Sequence, residues 1–91
     1  MDFEWDLAKA AGNRRKHGVS FEEASTVFDD PGGVLLFDVG HSDDEDRYLL
    51  IGMSDRTRLL VVCHMDRDVV RIITARKATA AEAKSYGQGQ P

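Results

Sequence analysis

Residues 47–76 read RYLLIGMSDRTRLLVVCHMDRDVVRIITAR, and the fold turns on how this stretch divides. Three runs rich in β-branched and aliphatic residues, 47–53, 58–65 and 69–76, are separated by SDRT and DRD. Such runs favour strands, and connectors this short fit tight hairpins. A fourth run, 34–39, precedes them across the longer linker GHSDDED. Four strands in succession predict an antiparallel meander. LLIG and LLVVC are apolar on both alternations, so the central strands should be covered on both faces.

Toward the N-terminus, MDFEW alternates polar and apolar residues and can form a short first strand. Asp6 is a helix N-cap for a segment running to about His17, with a seam of small residues at Ala8, Ala11 and Gly12. Gly18 supplies a left-handed C-cap. Ser20 with Glu23 forms an S-x-x-E capping box that opens a second helix. Phe21, Ala24, Val27 and Phe28 line one face of it, and Asp30-Pro31-Gly32-Gly33 ends it. Toward the C-terminus, Thr79 and Glu82 form another capping box, for a short helix through about Tyr86. The expected order is β-α-α-β-β-β-β-α, an α+β domain over residues 1–86 with a flexible tail at 87–91. Two helices on one sheet face leave the other to a third helix or a partner chain.

Ninety-one residues with 42% hydrophobic and 31% charged composition suit one small globular domain. A single cysteine, Cys63, excludes an internal disulfide and fits a reducing compartment. No signal peptide and no apolar run long enough to span a bilayer is visible, so a cytoplasmic location without membrane attachment is expected. Sixteen acids against twelve Lys and Arg give a net charge of −4, which excludes nucleic-acid binding by bulk charge. Local clusters remain: Asp43, Asp44, Glu45 and Asp46 on the acidic side, Arg14–Lys16 with Arg71, Arg76 and Lys77 on the basic side.

Three segments carry a family resemblance. EWDLAKAAGNRRKHGVSFEEASTVFDD (4–30) resembles the amino half of the BrnT toxins, while RYLLIGMSDRTRLLVVCHM (47–65) and RIITARKAT (71–79) resemble their carboxyl half. The match runs from about Phe3 to Tyr86 in the family's order and spacing. The resemblance implies a RelE-like fold, with an antiparallel sheet, two N-terminal helices packed on it and a short C-terminal helix. It implies the toxin of a type II toxin–antitoxin system, a metal-independent ribonuclease that cleaves RNA and inhibits translation. Its implied partners are RNA and a cognate BrnA-like DNA-binding antitoxin, through which alone it reaches operator DNA.

Metal-free RNA cleavage needs a group to take the 2′-hydroxyl proton, a group to protonate the leaving oxygen, and cations for the phosphorane. Histidine suits the proton transfers and arginine's planar fork suits the phosphate. With the resemblance, these requirements nominate His17, Arg47, Arg76 and Tyr86 as catalytic. Arg47 and Arg76 would converge on one groove. Lys16, Arg15, Lys77 and Arg71 are nominated for substrate binding, although alternation sets Arg71 opposite Arg76, where it would pair with a carboxylate such as Glu45. Plainer readings stand beside these: Lys16 and His17 complement a helix C-terminus, strand-end arginines are solvated, and Tyr86 and Trp5 pack. The DDED run with His41 reads as a solvated loop, and Cys63 and His64 point to opposite faces. No metal or cofactor is expected. A reading from another class also fits the acidic charge: a catalytically inactive toxin-like module that partners a DNA-binding antitoxin in operon autoregulation.

Overall fold

The computed structural model describes residues 1–38 and 46–88. Among these lie strand β1 (Phe3–Glu4), helix α1 (Leu7–His17), helix α2 (Phe21–Thr26) with a 3-10 turn (Val27–Asp29), strands β2 (Val34–Phe37), β3 (Arg47–Met53), β4 (Leu59–Asp66) and β5 (Val70–Lys77), and helix α3 (Ala80–Gln88). The expected order holds, and the α+β class with it. The sheet order is β1-β5-β4-β3-β2. From β2 to β5 it is the expected antiparallel meander. β1 is shorter than the MDFEW pattern suggests and joins β5 in parallel, which makes the sheet mixed.

Both caps of α1 form as their residues dictate. The Asp6 carboxylate accepts from the Lys9 amide at 2.9 Å, and Gly18, at φ 69°, donates its N–H to Arg14 O. The small-residue seam is not the packed face, however. Ala8 and Ala11 are exposed, and the one fully buried residue of α1 is Asn13. Its amide decides how the helix sits. Asn13 Nδ2 donates to Ala75 O at 2.8 Å and to Val19 O at 2.9 Å, while Asn13 Oδ1 accepts from the Ala75 amide at 3.1 Å. The side chain thus pairs with β5's backbone as a neighbouring strand would, beyond the point where β1 stops.

α2 buries the stripe its spacing predicts. Phe21, Ala24 and Val27 join Val19, Leu50, Leu60, Val62, Ile72 and Ala75 in the core, with Phe3, Trp5, Ala10 and Phe28 packed at its margin. Trp5 meets Phe21 edge to face at 5.9 Å. The Ser20 capping box is only half made. Ser20 Oγ accepts from the Glu23 amide at 3.0 Å, but the buried Glu23 carboxylate turns to Arg58 and to Ser54 Oγ. Arg58 also donates to Gly18 O at 3.1 Å, tying the α1–α2 junction to the β3–β4 hairpin. Gly52 lets the 3-10 turn lie flat on β3, since a Cβ there would stand 2.7 Å from Val27 Cγ1.

The second sheet face is covered in part by α3, which packs on β3, and on that face Ile51 and Val61 are buried. At the free edge of the sheet Leu35, Leu36 and Phe37 of β2 stay exposed. The linker 39–45, with His41 and three of the four clustered acids, lies outside the described residues, as does the tail beyond Gln88.

Candidate functional site

Strand register fixes which charged side chains share a face. Across β3, β4 and β5 the rows are Ile51–Val61–Arg76, Leu49–Cys63–Thr74 and Arg47–Met65–Arg71. Paired residues point the same way, and positions 61, 63 and 65 of β4 alternate together. All three arginines therefore stand on the face away from α1 and α2. This corrects the expectation that Arg71 faces opposite Arg76. Between Cys63 and His64 the register shifts: Cys63 pairs with Thr74 but His64 with Ile72. Ile73 is the extra residue of a β-bulge, and it restores Arg71 to the face that strict alternation denies it. Arg47 and Arg76 do share a face, at opposite ends of the three rows.

Each arginine has its own setting. Arg76 donates through Nη1 to Glu82 Oε1 at 2.7 Å and through Nη2 to Glu82 Oε2 at 2.8 Å. This fork, helped by the Thr79 N–H, holds the Glu82 carboxyl down to about 2, and the carboxylate raises the Arg76 pKa in return. Arg71 donates to Glu4 Oε2 at 2.8 Å, its strand-paired neighbour on β1. Glu45 itself lies outside the described residues. Arg47 opens β3 beside Met65.

Tyr86 sits at the other margin of the face. Its hydroxyl donates to Asp30 Oδ2 at 2.8 Å, and Asp30 also accepts from the Met53 and Gly32 amides at 2.7 and 2.8 Å. Those backbone donors, Met53 foremost, hold the Asp30 carboxyl below the usual carboxylate range, and the hydrogen bond to Asp30 raises the Tyr86 phenol. Thus α3 is pinned at two points, Glu82 to β5 and Tyr86 to the turn after α2. Cys63 stands between Leu49 and Thr74, its thiol raised chiefly by burial and 3.9 Å from Asp38 Oδ2. His64 turns to the helical face, as expected for its neighbour.

The remaining nominated residues lie elsewhere. Lys16 and His17 line a pocket with Lys9, Gly12, Asn13, Ile73 and Thr74, between α1 and the edge of β5. Arg76 is not part of that lining. Thr74 belongs both to this pocket and to the Leu49–Cys63–Thr74 row, so the pocket adjoins the arginine face at that residue. Arg15 is exposed on α1. Lys77 pairs with Leu60, a core residue, and so alternates away from Arg76 at the strand's end. Glu82, Asp30, Asn13 and Thr74 were not nominated from sequence. Only Glu82 carried a signal, its place in a capping box.

Among the described residues no cluster of His, Cys, Asp and Glu is arranged to hold a metal ion, and no helix is long and apolar enough to cross a membrane. No curated protein matches the chain. The family described as "Ribonuclease toxin, BrnT, of type II toxin-antitoxin system" matches residues 5–82, which span α1, the whole β2–β5 meander, Arg47, Arg71 and the Arg76–Glu82 fork. By that match the chain belongs to the BrnT family of type II toxin–antitoxin ribonuclease toxins.

Proposed function

We propose that this protein is a metal-independent endoribonuclease of RelE-like fold that acts in the cytoplasm, cleaves RNA, inhibits translation and is neutralised by a BrnA-like DNA-binding antitoxin. The observation that supports this most is the row structure of the sheet, with Arg47, Arg71 and Arg76 on one face. In the reaction the ribose 2′-oxygen attacks the adjacent phosphorus and the P–O5′ bond breaks. The products are a 2′,3′-cyclic phosphate and a free 5′-hydroxyl. One proton leaves the 2′-hydroxyl and one reaches the departing 5′-oxygen, so the sum is neutral. Arginine forks on the non-bridging oxygens stabilise the phosphorane. His17 at the adjoining pocket and Tyr86 supply the proton-transfer groups, and Arg15, Lys16 and Lys77 extend the contact to neighbouring phosphates. The exposed apolar side chains of β2 offer the antitoxin a surface.

The rival reading, a non-catalytic partner of a DNA-binding antitoxin, draws on one specific feature: Arg71 and Arg76 are both engaged by carboxylates of the chain itself. Purified protein incubated with single-stranded RNA in excess EDTA separates the two. Cleavage to cyclic-phosphate ends, lost in Arg76→Ala and His17→Ala variants that fold normally, supports the ribonuclease. Intact RNA supports the rival, and cleavage only on added metal counts against the metal-independent mechanism.

A further inference from the structure

The pocket between α1 and β5 has a volume of about 300 Å³ and a cationic rim. Lys9 and Lys16 are seven residues apart, two helical turns, so they lie on one stripe of α1, with Gly12 between them and His17 beside them. Thr74 lines it from the facing strand, with its side chain turned to Cys63. Among the described residues neither lysine nor the His17 imidazole has an ion pair. The contrast with Arg71 and Arg76, each held by a carboxylate, is direct. The floor is open because Gly12 has no side chain. A Cβ there would meet only Arg15 Nη2, at 3.8 Å.

We propose that this pocket is a phosphate subsite for single-stranded RNA, with Lys9 joining Lys16 and His17 to hold a nucleotide beside the scissile one. The inference rests on the ribonuclease reading and specifies where its substrate runs. Thr74 is the shared boundary, so a strand lying on the arginine face reaches the pocket by crossing the edge of β5. Ammonium groups act on phosphate as point charges. The pocket's size suits a phosphate and its ribose. It is too small for a helix or strand of an acidic protein, and Ile73 is its one large apolar wall. In a protein of net charge −4, such a patch gives RNA a local path that bulk charge denies it.

The test is fluorescence anisotropy with a labelled single-stranded RNA carrying 2′-O-methyl groups, which binds without being cut. Lys9→Gln combined with Lys16→Gln is expected to weaken binding about tenfold and to flatten the slope of log affinity against log salt by about 0.7 for each phosphate no longer neutralised. Gly12→Leu fills the pocket without changing charge, in a position open to a side chain, and should weaken binding while raising helix stability. Unchanged affinity and slope in the double variant and in Gly12→Leu overturn the subsite. So does a loss confined to antitoxin binding, which would make the pocket a protein contact. Parent protein that binds the methylated RNA through these residues yet never cuts unmodified RNA keeps the subsite and removes the ribonuclease reading.

Discussion

Arg76 at the end of β5 and Glu82 in the first turn of α3 meet fork to fork, with both nitrogen–oxygen distances below 3 Å. The same carboxylate accepts from the Thr79 amide at 2.8 Å, and Thr79 Oγ1 accepts from the Glu82 amide at 3.2 Å. One side chain thus completes a capping box and holds a strand arginine. α3 has no fully buried residue, so these polar tethers, with Tyr86 on Asp30, determine where it rests.

Glu82→Gln separates the two roles, because glutamine can still accept from Thr79 N while the ion pair is lost. The expected cost is about 1 kcal/mol, since the pair is partly solvated and screened. The pH dependence has a definite sign. Glu82 titrates at about 2 in the folded protein against 4.5 ordinarily, so its stabilisation is full above 4.5 and is lost as pH falls through about 2. Urea unfolding at a series of acidic pH values should show a shallower loss for the variant than for the parent. Parallel curves would mean that the fork contributes nothing to stability.

The fold was legible because its evidence is local. Periodicity separated the strands of 47–76, turn residues marked the hairpins, and the caps at Asp6, Gly18, Ser20 and Thr79 all form. What escaped was non-local. The Ile73 bulge is set by pairing across β4 and β5, and no residue type in RIITAR announces it, yet it decides which face Arg71 occupies. Nothing in the local sequence marks Asn13, because its partner is sixty-two residues away. The arginines of the face were readable as candidates, whereas their carboxylate partners, Glu4 and Glu82, needed coordinates.

Asn13→Leu should be among the most damaging single changes in α1. It removes the donor to Val19 O and both bonds to the Ala75 backbone, leaving buried polar groups unpaired. The expected loss is about 3 kcal/mol. Asn13→Asp should be at least as costly, because an oxygen would then face two carbonyl oxygens. Ala11→Leu, on the exposed side of the same helix, should change stability by less than about 0.5 kcal/mol. Denaturant midpoints for the three variants check the assignment of the packed face, and equal losses would return that face to the small-residue seam.

Gly52→Ala tests the close approach of the 3-10 turn to β3. The new methyl would stand 2.7 Å from Val27 Cγ1, so the turn must lift and carry Asp30 away from the Met53 amide. A loss of about 2 kcal/mol is expected. Adding Val27→Ala removes the clashing methyl, and the double variant should then be more stable than the sum of the single changes allows. A double-mutant cycle in thermal unfolding gives the coupling, and strict additivity would show that the two side chains do not meet.

His64 should make the core sensitive to mild acid. Its ring is only 3% exposed, lies edge-on to Phe28 with centroids 4.7 Å apart and stacks on Tyr48 at 6.0 Å. Its Nδ1 is 3.2 Å from Val62 O, placed to donate to that carbonyl. Burial disfavours the imidazolium more than the Val62 carbonyl and the Asp66 charge favour it, so the pKa lies below the ordinary 6.5. A depressed folded value means that the unfolded chain takes up the proton first as pH falls. Stability from this site is therefore full above the ordinary 6.5 and declines from there through the folded pKa. NMR should find the His64 ring more than half neutral at pH 6.5, and unfolding free energy should fall as pH drops from about 7.5 to about 5.5. His64→Leu should flatten that part of the curve even if it shifts stability as a whole. A variant as pH-sensitive as the parent there would place the titrating group elsewhere.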